Sequence, residues 1–264
     1  MTREIKLPPA APSLGKSAGK VLTILALAAF LLKIILAATT FGTNDALTFE
    51  LMQAKAETRG ARALYREGTE ARNNKGTVIQ MMLMNHPPFV LRLMQFWALC
   101  RRLLGGSLHF WLRFTCACAD LFAFFLIRKL LGGAPGAFWN LAVLAVAPAA
   151  IMISGFHGNT DPIMIALVVA AAYAMDRRLP VWLAGIAFGA AVSVKVWPLI
   201  LAPVFFLSAQ TLRRRAAFTI SFLLTTFVLA LPPIWTFTRL VLGNVFNYEP
   251  FSGWWGLSYL WPAG

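Results

Sequence analysis

Residues 155–167 read GFHGNTDPIMIAL, with His157, Asn159 and Asp161 at alternate positions and Pro162 directly after them. An imidazole, an amide and a carboxylate so spaced can hold hydroxyl groups and move a proton. The aspartate alone has a plainer reading. Asp before Pro is a common helix start, with the carboxylate as N-cap and proline at the first helical position. Capping leaves His157 and Asn159 without a task. Other chemistry-bearing residues lie far away in sequence: Asp45 in FGTNDALTFE, His86 in NHPPF, Lys195 in VSVKVWP and Glu249 in NYEPF. Asp45 also suits a helix cap, His86 a turn, and Lys195 a cation snorkelling to an interface.

Metal chemistry is not expected. His86, His109 and His157 are scattered and lack paired helical spacing. Cys100, Cys116 and Cys118 contain no CxxC and sit in apolar sequence, where thiols serve as small hydrophobes. No cofactor is expected either.

The elements that must position these residues are membrane helices. The chain has 264 residues, 59% of them hydrophobic, and a mean hydropathy of +0.68. Apolar runs near ~20 residues recur, the length that crosses a bilayer. The expected fold is all-α: a polytopic helical membrane protein of about seven transmembrane helices. The spans read as 21–40, 108–128, 137–156, 162–175, 180–195, 197–210 and 216–235. Residues 1–20 form a cytoplasmic tail, 41–107 a long first outer loop, 108–235 the helical bundle and 236–264 an outer tail, all within one module over 1–264.

Net charge is +14, from 24 Lys+Arg against 10 Asp+Glu. Basic residues flanking spans explain the excess better than nucleic acid does, and they also suit anionic lipid head groups. Arg128–Lys129, Arg177–Arg178 and Arg213–Arg215 mark cytoplasmic loops. That assignment puts residues 157–161 outside, on the same side as Asp45. It also requires the apolar stretch 180–210 to break near Lys195–Pro198, which places Lys195 on the outer side. Within the first loop, DALTFELMQAKAETRG reads as a helix stopped by Gly60, and PPFVLRLMQFWALCRRLL as a helix lying in the interface. Asp120 alone of the acidic residues falls inside a span. It follows Arg113 by two helical turns, so a buried Arg113–Asp120 pair is expected.

The ordered set FGTNDALTFE, Leu64–Tyr65, NHPPF, WLRF…ADL, GFHGNTDP, LAGIAFGAAVSVKVWPLILAP and YEPFSGWWGLSYLW resembles the GT-C superfamily of membrane glycosyltransferases, in particular its bacterial mannosyl- or hexosyltransferase-like members. The resemblance implies an inverting transfer of a hexose, mannose or glucose, from a polyprenyl-phosphate-linked donor to an extracytoplasmic hydroxyl of a glycan, lipid or protein. It implies a bacterial cytoplasmic (inner) membrane and a site facing outward. Asp45 would be the general base. Asp161 would share the catalytic work and, with His157, orient sugar or acceptor hydroxyls beside Asn159. Lys195 would stand at the departing phosphate, with Arg113 and His86 as further candidates for it. Tyr248 and Glu249 would shape the sugar pocket, and Trp254 and Trp255 would flank a lipid groove. Members of the superfamily carry further spans after such a module, so a chain stopping at WPAG is expected to be C-terminally truncated.

Two rival classes fit the same residues. A transporter or lipid-linked-glycan flippase would use them as a gate, yet no duplicated halves are visible. A non-catalytic membrane assembly subunit would tolerate changes at Asp45.

Overall fold

The computed structural model describes residues 15–72 and 78–246. They fold as helices apart from one hairpin. The helices are α1 (Lys16–Thr39), α2 (Asn44–Glu67), α3 (Pro88–Leu104), α4 (Leu108–Leu131), α5 (Ala137–Val146), α6 (Pro148–Met152), α7 (Asp161–Asp176), α8 (Val181–Val194), α9 (Ala202–Ser208), α10 (Leu212–Ala230), α11 (Pro233–Thr236) and α12 (Thr238–Phe246). A π-helical turn, Ile153–His157, follows α6, and a 3-10 turn, Trp197–Leu201, precedes α9. Strands β1 (Thr69–Arg72) and β2 (Val78–Met82) pair antiparallel, with Thr69 opposite Met82. This hairpin lies between α2 and α3 and was not expected from the sequence.

Among the described residues, three helical stretches are long and apolar enough to cross a membrane: Lys16–Thr39, Leu108–Leu131 and Ala137–His157. Helices α7 and α8 are shorter, at 16 and 14 residues. Two breaks fall where the residue types ask for them. Gly60 takes φ 79°, ψ 165° and kinks α2, a conformation that suits glycine best. Lys195 is extended after α8, so the apolar stretch 180–210 divides at Lys195–Pro198.

The bundle has two chemically different ends. At one end Arg128 donates to Thr23 Oγ1 at 2.7 Å, linking α4 to the start of α1. Arg177 donates to the Lys129 carbonyl, and both Lys129 and Arg177 lie 5.8 Å from the Tyr173 ring centre. Helix α8 rises from this end beside α10. A Cβ on Gly185 would come within 2.5 Å of the Phe218 carbonyl oxygen, and one on Gly189 within 2.7 Å of the Phe222 carbonyl oxygen. The small-xxx-small face therefore lets the two backbones approach as membrane helices do. Both contacts advance in the same direction, so α10 runs parallel to α8 and Arg213–Arg215 start near the basic end. The opposite end carries the close of α1, the starts of α4 and α7, and Lys195. Helices α2 and α3 cover that end over a core that includes Phe49, Tyr65, Met94, Trp97 and Leu112. Trp97 bonds Thr115 at 3.1 Å and pins α3 to α4.

Asp120 corrects one expectation. It does not pair with Arg113. Lys33 of α1 reaches it at 2.6 Å, and the Ser154 hydroxyl also donates to it. Arg113 and Asp120 share a face of α4, but Lys33 stands opposite the carboxylate, whereas Arg113 meets backbone carbonyls. A charge left alone in this setting is costly, so removing one partner of the pair costs about 3–5 kcal/mol. Lys33→Leu and Asp120→Leu are each expected to lower the detergent-phase melting temperature. The double variant should be more stable than the sum of the two losses predicts. Strict additivity would show that the contact contributes no coupling.

Candidate functional site

Arg113 organises the site from beneath. It is fully buried, at 0% exposure. Its Nε–H donates to the His109 carbonyl at 3.0 Å. One terminal nitrogen reaches the Ala37 and Thr40 carbonyls at 2.9 and 2.7 Å. The other reaches Thr40 Oγ1 at 2.9 Å and the Phe156 and Gly155 carbonyls at 3.4 and 3.5 Å. All five guanidinium donors are thereby used within the protein. The charge sits where α1 ends, and a helix C-terminus favours a cation. Arg113 thus joins the end of α1, the first turns of α4 and the π-helical turn, and stands below the polar cluster.

Two glycines let these segments close over it. Gly42 has φ 95°, and a Cβ there would come within 2.8 Å of the Phe156 carbonyl oxygen and 3.2 Å of the Arg113 guanidinium. Gly158 has φ 83°, and a Cβ would lie 3.3 Å from the Ala46 Cβ. Side chains at such φ are strained, so glycine serves both positions. The loop after α1 and the loop before α7 are consequently pressed together.

That closure creates the first pair. His157 Nε2 lies 3.0 Å from Asp45 Oδ2. Thr43 Oγ1 is 2.8 Å from His157 Nδ1 and 2.9 Å from the His157 carbonyl. The threonine has one proton to give. If the hydroxyl donates to the carbonyl, Nδ1 must be the donor to the hydroxyl; if it donates to Nδ1, that nitrogen is bare. An ionised Asp45 only accepts, so Nε2 carries the hydrogen toward it; a neutral imidazole then has a bare Nδ1, which takes the Thr43 hydroxyl proton, whereas Nδ1 as donor requires both ring nitrogens to carry hydrogens. Asp45 Oδ2 is held, and the carboxylate remains 47% exposed.

The second pair stands in the same loop. Lys195 Nζ lies 2.5 Å from Asp161 Oδ1 and donates to Asn159 Oδ1 at 3.1 Å. Asn159 Oδ1 also accepts the Asp161 backbone N–H at 3.2 Å. Cys116 bonds the Asn159 carbonyl at 3.1 Å. Neither aspartate is a cap. Thr43 and Thr160 occupy the N-cap positions, with Asp45 and Asp161 in the first turns of α2 and α7. Both carboxylates are therefore directed to partners from other segments.

His86 stands near this second pair. Burial, reinforced by the Lys195 charge and partly offset by Asp161, pushes its pKa down from 6.5 to about 4. Its Nδ1 is buried with no hydrogen-bond partner in the protein. Tyr65, buried on α2, donates its hydroxyl to the His86 carbonyl at 2.9 Å, and Phe49 packs 5.5 Å from the ring.

Asp45, His157, Asn159, Asp161 and Lys195 thus converge, with His86 close by and Arg113 below. Tyr248, Glu249, Trp254 and Trp255 lie outside the described residues. Sequence reasoning missed Thr43 and assigned no role to Tyr65. Thr43 had one signal, a hydroxyl two residues before Asp45, while Tyr65 had only its place in the Leu64–Tyr65 motif. Among the described residues no group of three or more His, Cys, Asp or Glu side chains could hold a metal ion.

The model of glycosyltransferase family 87 matches residues 85–255, more than half of the chain and most of the bundle, including His86, Arg113, His157, Asn159, Asp161 and Lys195. Asp45 precedes the matched region. No curated protein and no solved structure matches.

Arg113→Lys keeps a charge but loses the planar fork. Each carbonyl stripped of its donor costs about 1–3 kcal/mol. A fall in melting temperature together with weakened activity is expected, and unchanged stability would refute the staple. The pH dependence of stability tests His86. Its folded pKa is depressed, so below 6.5 the unfolded chain takes the proton first. Stability should fall as pH drops from 6.5 toward about 4. His86→Gln should flatten that part of the profile; an identical profile would show that His86 is not the group responsible.

Proposed function

Because the chain belongs to glycosyltransferase family 87, and is a membrane glycosyltransferase on that ground, we propose that it transfers a hexose from a polyprenyl-phosphate carrier to an extracytoplasmic acceptor hydroxyl with inversion. Membership removes the transporter and assembly-subunit readings as the main activity. The observation that supports the detailed reading is the pairing of Asp45 with His157 beside the Lys195–Asp161 pair.

The reaction needs a base at the acceptor and a cation at the leaving group. The acceptor O–H bond breaks as its oxygen attacks the anomeric carbon, and the proton passes to Asp45 Oδ1. His157 holds Oδ2 through Nε2–H, so the carboxylate is aimed rather than free to rotate. The bond from the anomeric carbon to the phosphate oxygen breaks, and its electron pair stays on the phosphate. Lys195 has three N–H donors. Two meet Asp161 and Asn159, which leaves the third for a phosphate oxygen as its charge grows. His86, buried and uncharged at neutral pH, borders the Lys195–Asp161 pair and is a further candidate for the leaving phosphate. Asp161 fixes Lys195 and orients substrate hydroxyls.

In this reading the shorter helices complete seven crossings of a bacterial inner membrane. The basic end, with Lys129 and Arg177, faces the cytoplasm as positively charged loops do. The Asp45 end faces outward.

Membranes carrying the protein and given a labelled polyprenyl-phosphate hexose with acceptor test the assignment. Asp45→Asn should lower transfer by ~100-fold or more, the usual contribution of a general base. Asp161→Asn should lower it as well, by freeing Lys195. At matched expression, full transfer by both variants would remove these residues from the mechanism.

A further inference from the structure

A cavity of about 170 Å³ lies among the helical stretches that are long and apolar enough to cross a membrane. Its walls come from α1, α4, α5 and α6, together with Ile165 of α7. Ala29, Ala117 and Ala145 leave the space open, and Phe30 and Phe124 line it. Two charged residues border it, Lys33 and Asp120. Ala26, also in the lining, stands ~10 Å along α1 from Lys33, toward the basic end. The cavity is therefore a slot with a polar head and an apolar shaft.

The polar head keeps one acceptor in reserve. Asp120 Oδ2 receives Lys33 Nζ, at 2.6 Å, and the Ser154 hydroxyl. Asp120 Oδ1 receives no hydrogen bond among the described residues, and 20% of the side chain is exposed. Lys33, at 6% exposure, is almost enclosed. In a stretch surrounded by hydrocarbon, water is scarce and an unpaired polar atom is costly.

The head and the shaft together select a guest. An anionic head group would face the Asp120 carboxylate. A cationic one would face the Lys33 ammonium, which already neutralises that carboxylate. An alkane would fill the shaft and leave Oδ1 unpaired. A water could meet Oδ1, but every other lining residue is apolar and offers it no further side-chain partner. A hydrocarbon chain ending in a hydroxyl satisfies both parts, because the O–H donates to Oδ1 and the chain covers the apolar wall.

We propose that the slot between α1, α4, α5 and α6 binds an uncharged long-chain alcohol, with its hydroxyl on Asp120 Oδ1 and its hydrocarbon against Phe30 and Phe124. The site is separate from the Asp45–His157 pair and does not depend on which donor or acceptor the enzyme uses.

The full chain in detergent is irradiated with a diazirine-bearing octanol, and the labelled peptides are identified by mass spectrometry. Labels are expected on α1, α4 and α5. n-Octanol, n-octane, octanoate and octylamine then compete at matched detergent concentration. n-Octanol should displace the label at a concentration roughly tenfold below that needed for each of the others, the worth of one good hydrogen bond. Ala150 is half-buried and borders the slot away from the ion pair. Ala150→Leu should fill the space and abolish the labelling while the melting temperature stays near that of wild type. The competition series needs no variant, so it decides the proposal even if that substitution unfolds the chain. Labels absent, or spread evenly over outward-facing helices such as α10, would overturn the site. So would equal displacement by n-octane, stronger displacement by octanoate or octylamine, or unchanged labelling of a folded Ala150→Leu variant.

Discussion

The site depends on burying one cation without a carboxylate. Arg113 is enclosed by carbonyls from the end of α1, from α4 and from the π-helical turn. A guanidinium is suited to this because its donors are arrayed in a plane and its charge is diffuse. Carbonyl oxygens at a helix end supply partial negative charge without a second full charge to desolvate. Three segments that diverge in sequence are thereby held at one point, and the polar cluster of Asp45, His157, Asp161 and Lys195 lies beside it.

Around that staple, the other contacts act as alignment. Gly155 lets the turn rest on α1, since a Cβ would come within 2.9 Å of the Lys33 Cα. Lys33 and Ser154 meet Asp120 just below. The turn that presents His157 is fixed at both ends, by Arg113 and by Asp120. π-helical turns place an extra residue in a helix and often re-aim a functional side chain. Here the re-aimed side chain is His157, which meets Asp45.

Much of the layout was legible in the chain. Gly60 and Lys195–Pro198 mark real breaks because glycine and proline act through their own backbones. Helix α3 follows from Pro87–Pro88 and the apolar spacing after them. The basic loops 128–129 and 177–178 share one end, as their charge suggested. The errors arose where partners come from another segment. Asp161 and Asp45 each suit a cap by sequence as well as a catalytic role, yet a threonine just ahead of each takes the cap position. Arg113 and Asp120 share a helix face, but spacing does not reveal which neighbour stands opposite.

The sequence by itself determined the helices, their breaks, the separation of a basic end from a polar end and the family. These follow from backbone preferences, apolar length and local charge, which act within a few residues. Only the tertiary structure decided that His157 meets Asp45, that Lys195 is shared by Asp161 and Asn159, and that Arg113 supports the site. Those contacts, together with the one from Thr43 to His157, join residues up to 114 positions apart. They are set by how closely glycine-bearing backbones approach and by which buried charge finds a partner, and neither has a local signature.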